Sequence, residues 1–252
     1  VHGLLVVLQI GLALGSYYFL RPFFPESIAQ GAFNCFLCPA ASASPVIIGI
    51  LGGNIAVGTA YVLLTSIGIA FVGPLLFSIV GEGNVPFWES VLTIFAHVLP
   101  IVLTPLLLAW GLRALVPKVH ARLTGLSSVS FWVWVVALAI IIAKTVHFMA
   151  EEPRSEIPSM LLLVLVGLVA CLVQFALGKW LSRRFLKESI TLGQSLGQKN
   201  SSLAIWMAQV YLNPLSSVAM AAYSIWQNLL NSLQLMRESK RRSRCAREQK
   251  IQ

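Results

Sequence analysis

Residues 38–45 read Cys38-Pro39-Ala40-Ala41-Ser42-Ala43-Ser44-Pro45 and fall inside an apolar run from about 28 to 50. Each proline removes a backbone donor and disfavours helix in the residue before it, so a straight helix is not expected there. A second stretch, Gly193-Gln194-Ser195-Leu196-Gly197-Gln198-Lys199-Asn200-Ser201-Ser202, interrupts the apolar run 188–212 with two glycines, amides, hydroxyls and an ammonium. Taken singly, the first could be an ordinary proline kink and the second a polar loop. Paired interruptions in corresponding segments of two halves instead point to discontinuous helices crossing at a midplane binding site. Backbone groups freed in a bilayer cost several kcal/mol unless protein or a wet cavity satisfies them, so both breaks are expected to face the interior. The orphan N–H groups and partial positive charge at each half-helix amino end would favour a carboxylate, sulfonate or similar anion.

The rest of the chain gives these breaks a membrane setting. Apolar residues make up 57% of the sequence and charged residues 11%, with a mean hydropathy of +0.81; soluble domains carry about a quarter charged residues. Apolar runs at about 3–20, 28–50, 57–80, 90–112, 129–149, 159–180, 188–212 and 213–236 give eight candidate crossings, each near the twenty or so residues that span a hydrocarbon core of roughly 30 Å. The first could be mistaken for a signal peptide, but it lacks a basic start and a small-residue cleavage site, and similar runs recur. The expected fold is an all-α membrane protein, a polytopic helical bundle of about eight transmembrane helices, two of them discontinuous and crossing.

Charge places the loops. Lys118 and Arg122 with Arg113, then Lys179, Arg183, Arg184 and Lys187, then the tail from Arg237 lie in alternate gaps, whereas Glu82 and Glu89, and Glu151, Glu152 and Glu156 beside Arg154, lie in the others. The positive-inside rule then predicts a cytoplasmic carboxyl terminus in a bacterial inner membrane. A transmembrane domain 1–236 and a basic tail 237–252 follow; the tail either anchors topology or attracts anionic lipid headgroups. The net charge of +9 is therefore assigned to topology and no nucleic-acid partner is expected. Cys35, Cys38, Cys171 and Cys245 form no disulfide framework, and a single Cys-x-x-Cys pair without a nearby His reads as packing rather than a metal site.

Three further features carry a resemblance: Cys38 to Val46 followed by Gly52-Gly53-Asn54, Gly197-Gln198-Lys199-Asn200-Ser201, and Tyr223-Ser224-Ile225-Trp226-Gln227-Asn228. In order and spacing the chain resembles the bile acid:sodium symporter family and its bacterial relatives over nearly its whole length. The resemblance implies an inverted-repeat bundle of a panel and a core, with ten helices, of which the eight here correspond to the third to tenth; the first two are expected to be missing. It also implies alternating-access transport of a small organic anion, with Ser42, Ser44, Gln194, Ser195, Gln198, Lys199, Asn200, Ser201, Gln227 and Asn228 in the substrate and ion sites. The family's sodium ligands are largely replaced: Pro45 stands where the family has Asn, Gly58 and Val62 where it has hydroxyls, Ser195 where it has an acid, and Lys199 where it has Gln. No cofactor is implied, and coupling to Na+, H+ or neither stays open.

Lys199 is the most informative residue, because a charged ammonium in an apolar interior costs several kcal/mol unless paired or wet. It could replace sodium, carry a proton, or pair with an anionic substrate; it could also snorkel to an interface. The expectation adopted is the substitute cation. His97 and His147 could relay protons but more simply hydrogen-bond between helices; Lys144 lies near the acidic face, and Trp88, Trp110, Trp132, Trp134 and Trp180 read as interface anchors. The rivals are an intramembrane enzyme, a channel and a non-transporting fragment. The enzyme is disfavoured because the chain has no Asp and its nine acidic residues lie mainly in loops and tail. Substrate, direction and oligomeric state are not legible.

Overall fold

The computed structural model describes residues 1–81, 86–124, 126–151 and 153–249; within them the side chains at 97–99, 101–102, 127–128, 130–131, 134, 137–138, 141–142, 144–145, 148 and 242–249 are excluded. The expectations placed on Glu82, Glu152, Lys250 and the side chains of His97, Trp134, Lys144, Arg242, Arg244, Cys245 and Arg247 lie outside the described residues. Among the described residues the structure is helical, without strands. It comprises α1 (His2–Leu20), α2 (Glu26–Leu37), α3 (Ser44–Leu51), α4 (Ile55–Val80), α5 (Phe87–Leu115), α6 (Pro117–Thr124), α7 (Ser127–Glu151), α8 (Ile157–Leu186), α9 (Thr191–Gly197), α10 (Ser201–Tyr211) and α11 (Ser217–Gln249). Single 3-10 turns precede α8 and α11, at Arg154–Glu156 and Pro214–Ser216.

Three stretches, His2–Leu20, Ile55–Val80 and Arg154–Leu186, are each long and apolar enough to cross a membrane by length and composition. Exposed large apolar side chains such as Val7, Phe19, Phe71, Leu92, Leu107 and Leu161 suit a lipid rather than an aqueous surroundings. The chain is an all-α integral membrane protein. The short α6 falls in the basic gap expected at 113–122, and the described part of the tail is helical: α11, 33 residues in all, continues through Arg237 to Gln249, about 50 Å at the helical rise and longer than a hydrocarbon core.

The two expected interruptions are present but narrower than their sequence signatures. The first spans 38–43, because Ser44 and Pro45 already form the first turn of α3, a position where a missing N–H and a fixed φ cost nothing. The second is confined to 198–200, because the Asn200 side chain accepts from the Leu203 amide and caps α10, letting Ser201 and Ser202 start the helix. In both cases polar residues that look like a loop in sequence are helix-terminal.

These broken helices are the centre of the protein. Every residue of α2 from Ser27 to Leu37, and every residue of α9, is buried. Around them pack α1 on α2, α8 on α2, α9 and α11, α4 on α3 and α9, and α10 on α11. One face of α8 makes this closeness geometrically feasible. A Cβ on Gly167 would lie 2.4 Å from the Ala219 carbonyl oxygen of α11, and one on Gly178 2.5 Å from the Leu192 carbonyl oxygen of α9. Small residues permit such backbone approach, and dispersion at close range is a main source of helix cohesion in lipid.

Gly167→Ala is accordingly expected to destabilise by about 1–3 kcal/mol through overpacking. Gly11, whose added Cβ would meet nothing within 4 Å, should accept Ala without loss. Thermal unfolding of both variants in detergent checks this; equal melting temperatures would contradict the packing described.

Candidate functional site

Where the two broken helices cross, their extended segments pair antiparallel as an isolated β-bridge between Ala40 and Lys199. The Ala41 amide donates to the Gln198 carbonyl at 3.0 Å, and the Asn200 amide to the Pro39 carbonyl at 3.0 Å. Each break thus satisfies groups that the other exposes, which is the condition for unwound backbone at membrane depth.

The carboxyl end of α2 leaves further carbonyls without helical partners, and side chains from distant elements cover them in sequence. Gln174 of α8 donates to Cys35 O at 3.1 Å. Lys199 donates through Nζ to Phe36 O at 3.2 Å. Gln9 of α1 donates to Leu37 O at 2.6 Å and to Cys38 O at 2.8 Å. Tyr61 of α4 in turn donates to Gln9 Oε1 at 2.8 Å, and Tyr223 of α11 donates to Gly197 O, the last carbonyl of α9, at 2.8 Å. Gln9, Tyr61, Gln174 and Tyr223 are all buried; Gln9, Tyr61 and Gln174 carried no expectation from the sequence, and Tyr223 only opened the motif at 223–228. Their signal was faint: a lone Gln in each of two apolar helices, at Gln9 and Gln174, is an unusual polar insertion whose partner only the fold reveals.

Lys199 itself is 1% exposed. Its amide donates to Gln227 Oε1 at 2.8 Å, and Gln227 Nε2 reaches back to Lys199 O and to Ser201 Oγ, each at 3.3 Å. The ammonium sits at the negative pole of α2, where a cation is favoured by the helix dipole. Among the described residues no carboxylate pairs with it. Buried side chains and a backbone carbonyl therefore surround the Lys199 amino group.

The other sequence-predicted residues divide into groups. Gln194, Gln198 and Ser44 form a second set: Gln198 Nε2 donates to Gln194 Oε1, and Ser44 Oγ donates to Gln194 O at 3.2 Å. Asn200 caps α10, and Asn228 donates to Ser224 O of its own helix at 2.7 Å. Ser195 is fully buried, with Oγ unpartnered. Ser42 is exposed and, among the described residues, stands apart from both networks. His147 is on the surface of α7, its Nε2 3.2 Å from the Glu151 carboxylate. The thiols of Cys35, Cys38 and Cys171 are free and buried, with Cys38 Sγ 3.1 Å from Asn200 O. A cavity of about 600 Å³ opens between the start of α2 and the two 3-10 turns, lined by Ser27, Glu156, Ser159 and Asn213 among others, and none of the predicted site residues lines it.

The opposite end of α9 is held by a carboxylate. Glu188 accepts from Ser182 Oγ at 2.8 Å, from the Thr191 amide at 3.0 Å and from the Ile190 amide. Thr191 Oγ1 accepts from the Asn54 amide at 2.8 Å, tying this end to the start of α4. Burial alone would raise the Glu188 pKa, but the amide and hydroxyl donors outweigh it and hold the carboxyl below its ordinary range.

No family model matches the chain. Among curated proteins it is similar to the "Uncharacterized sodium-dependent transporter YocS" of Bacillus subtilis (strain 168), 25% identical over 234 residues that cover 92% of this chain and 69% of that protein.

Two outcomes follow. Gln9→Leu strips the donors from Leu37 O and Cys38 O and is expected to cost about 2 kcal/mol or more, with Tyr61→Phe costing less; thermal unfolding reads both, and an unchanged melting point for Gln9→Leu would contradict the carbonyl-covering role. Because the folded-state pKa of Glu188 is depressed, its contribution is present above the unfolded value of about 4.3 and is lost as pH falls through the folded value. Glu188→Gln should therefore melt below the wild type at pH 7, the gap closing as pH drops under 4.

Proposed function

We propose that the chain is a secondary carrier of a small organic anion, similar to bile acid:sodium symporters, in which the Lys199 ammonium takes the place of a coupling cation. The observation that carries this reading is Lys199 Nζ, buried and 3.2 Å from Phe36 O at the carboxyl end of a broken helix. The name of the Bacillus subtilis relative points to a transporter rather than an enzyme. The carrier moves solute by alternating access, one bundle rocking against another around the crossing.

The resemblance places sodium at two sites, and the residues present here do not fit it. Around the first, a Cβ on Gly58 would lie 2.4 Å from Ile48 Cδ1, so an apolar side chain fills the space where the family has hydroxyls. Ser44 Oγ is engaged with Gln194 O, and Ser195 supplies a hydroxyl where a carboxylate stands in the family. At the second, the ammonium of Lys199 replaces a neutral amide and would repel a second cation at short range. The fixed charge has a consequence for the substrate. An uncompensated buried ammonium is costly, and an anion bound at the crossing, faced by the amino ends of α3 and α10, offsets that cost.

In this reading the eight apolar runs all cross the membrane, with α2–α3 and α9–α10 as the discontinuous pair. Residues 1–236 form the transport domain, and the basic tail 237–252 lies at the cytoplasmic face of an inner membrane. Partners are the bilayer and the anionic solute.

Proteoliposome uptake of labelled taurocholate and pantoate tests the proposal. Wild-type uptake of one of them is expected to be saturable and indifferent to an imposed sodium gradient. Lys199→Ala should lower it about tenfold or more, the equivalent of 1.4 kcal/mol, and the double variant Ser195→Glu with Lys199→Gln should make it sodium-dependent. Sodium-driven uptake in the wild type that persists in Lys199→Ala would overturn the resident-cation reading.

A further inference from the structure

The polar face of α11 does not end at the crossing. At about 100° per residue, Ser217, Ser224, Gln227, Asn228, Asn231 and Gln234 share one side of the helix, and the last two lie between the crossing and the basic end that begins at Arg237. Asn231 is 1% exposed, and neither its Nδ2 nor its Oδ1 has a partner. Ser224 Oγ, in a fully buried residue, and Gln234 Nε2 are likewise unpartnered, as is Ser195 Oγ of α9. Dry burial of such amides and hydroxyls is costly, and these five unpartnered atoms lie on two helices that Gln194 and Gln234 join directly. Among the described residues no protein group partners them.

Long amides from α9 connect the same levels. Gln194 Nε2 donates to Gln234 Oε1 at 3.2 Å, and Gln194 Oε1 accepts from Gln198, the residue before Lys199. A chain of amides therefore runs from the level of Arg237 to the crossing, where Gln227 of the same α11 face accepts from the Lys199 amide.

From this we infer that the seam between α9 and α11 is a hydration path, holding a string of bound waters that links Lys199 to the membrane face bearing Arg237. Each water would bond two to four of the unpartnered groups, as buried waters in polar clefts do. The path gives the ammonium solvent contact from one side only. Its purpose rests on the carrier reading, but its existence does not.

Thiol labelling in proteoliposomes with a small, water-soluble methanethiosulfonate ammonium reagent tests it, in a Cys245→Ser background whose other cysteines, Cys35, Cys38 and Cys171, are buried. Asn231→Cys is expected to react within about tenfold of the rate of Arg237→Cys, whereas Leu229→Cys, on the exposed apolar side of α11, should stay unlabelled. Ser195→Cys carries the same test from α9 if Asn231→Cys fails to fold. Reaction at 231 and 195 no faster than at 229, with 237 labelled, means a dry seam and overturns the inference. Labelling without any anion uptake would leave the path standing and remove the carrier reading. Asn231→Leu adds a second readout: a higher melting temperature with unchanged uptake would also mean a dry seam, and lost uptake at an unchanged melting temperature supports the path.

Discussion

Everything described here depends on one constraint: two helices are broken inside a membrane protein, and the polar backbone so exposed must find partners without bulk water. The antiparallel pairing of 39–41 with 198–200 meets part of that demand. It fixes where α2 and α9 cross, and the remaining carbonyls of α2 determine which side chains must come near. Gln9, Gln174 and Lys199 are drawn from α1, α8 and the second break to the end of a single half-helix. Packing follows from that requirement, with α8 using Gly167 and Gly178 to approach the helices that carry these donors.

Two kinds of donor cover the α2 carbonyls, and the difference gives the site its chemistry. Gln9 and Gln174 are neutral amides, themselves held by Tyr61 and Tyr223; they seal the helix end without adding charge. Lys199 seals one carbonyl with an ionisable amino group, which carries a positive charge whenever it is protonated. A neutral side chain would satisfy the same hydrogen bond at lower electrostatic cost, so the charge calls for a functional account. In the proposed reading that charge is a means of attracting an anion to the crossing.

Much of the fold was legible because its signals are local. Prolines at 39 and 45 and the glycine and amide cluster at 193–202 located both breaks, and long apolar runs marked helices. The limits of the breaks were less legible, since Pro45 as a first-turn residue and Asn200 as a cap read in sequence like loop residues. At the crossing, Lys199, Gln227 and Ser201 come together from segments picked out in advance, whereas Ser42 is exposed. The supporting Gln9–Tyr61 and Gln174–Tyr223 pairs span 52 and 49 positions, and no local pattern announces contacts at that range. The unpartnered Asn231 was invisible for the opposite reason: only a packed structure shows that an amide has no partner.

The most direct test of the resident-cation account is solid-state NMR of the protein in lipid, labelled with 15N at lysine side chains and 13C at phenylalanine carbonyls. The account predicts a short-range contact between Lys199 Nζ, at an ammonium shift, and the Phe36 carbonyl, absent in Lys199→Ala and unchanged by sodium. A missing contact in the wild type, or one that sodium displaces, would contradict it.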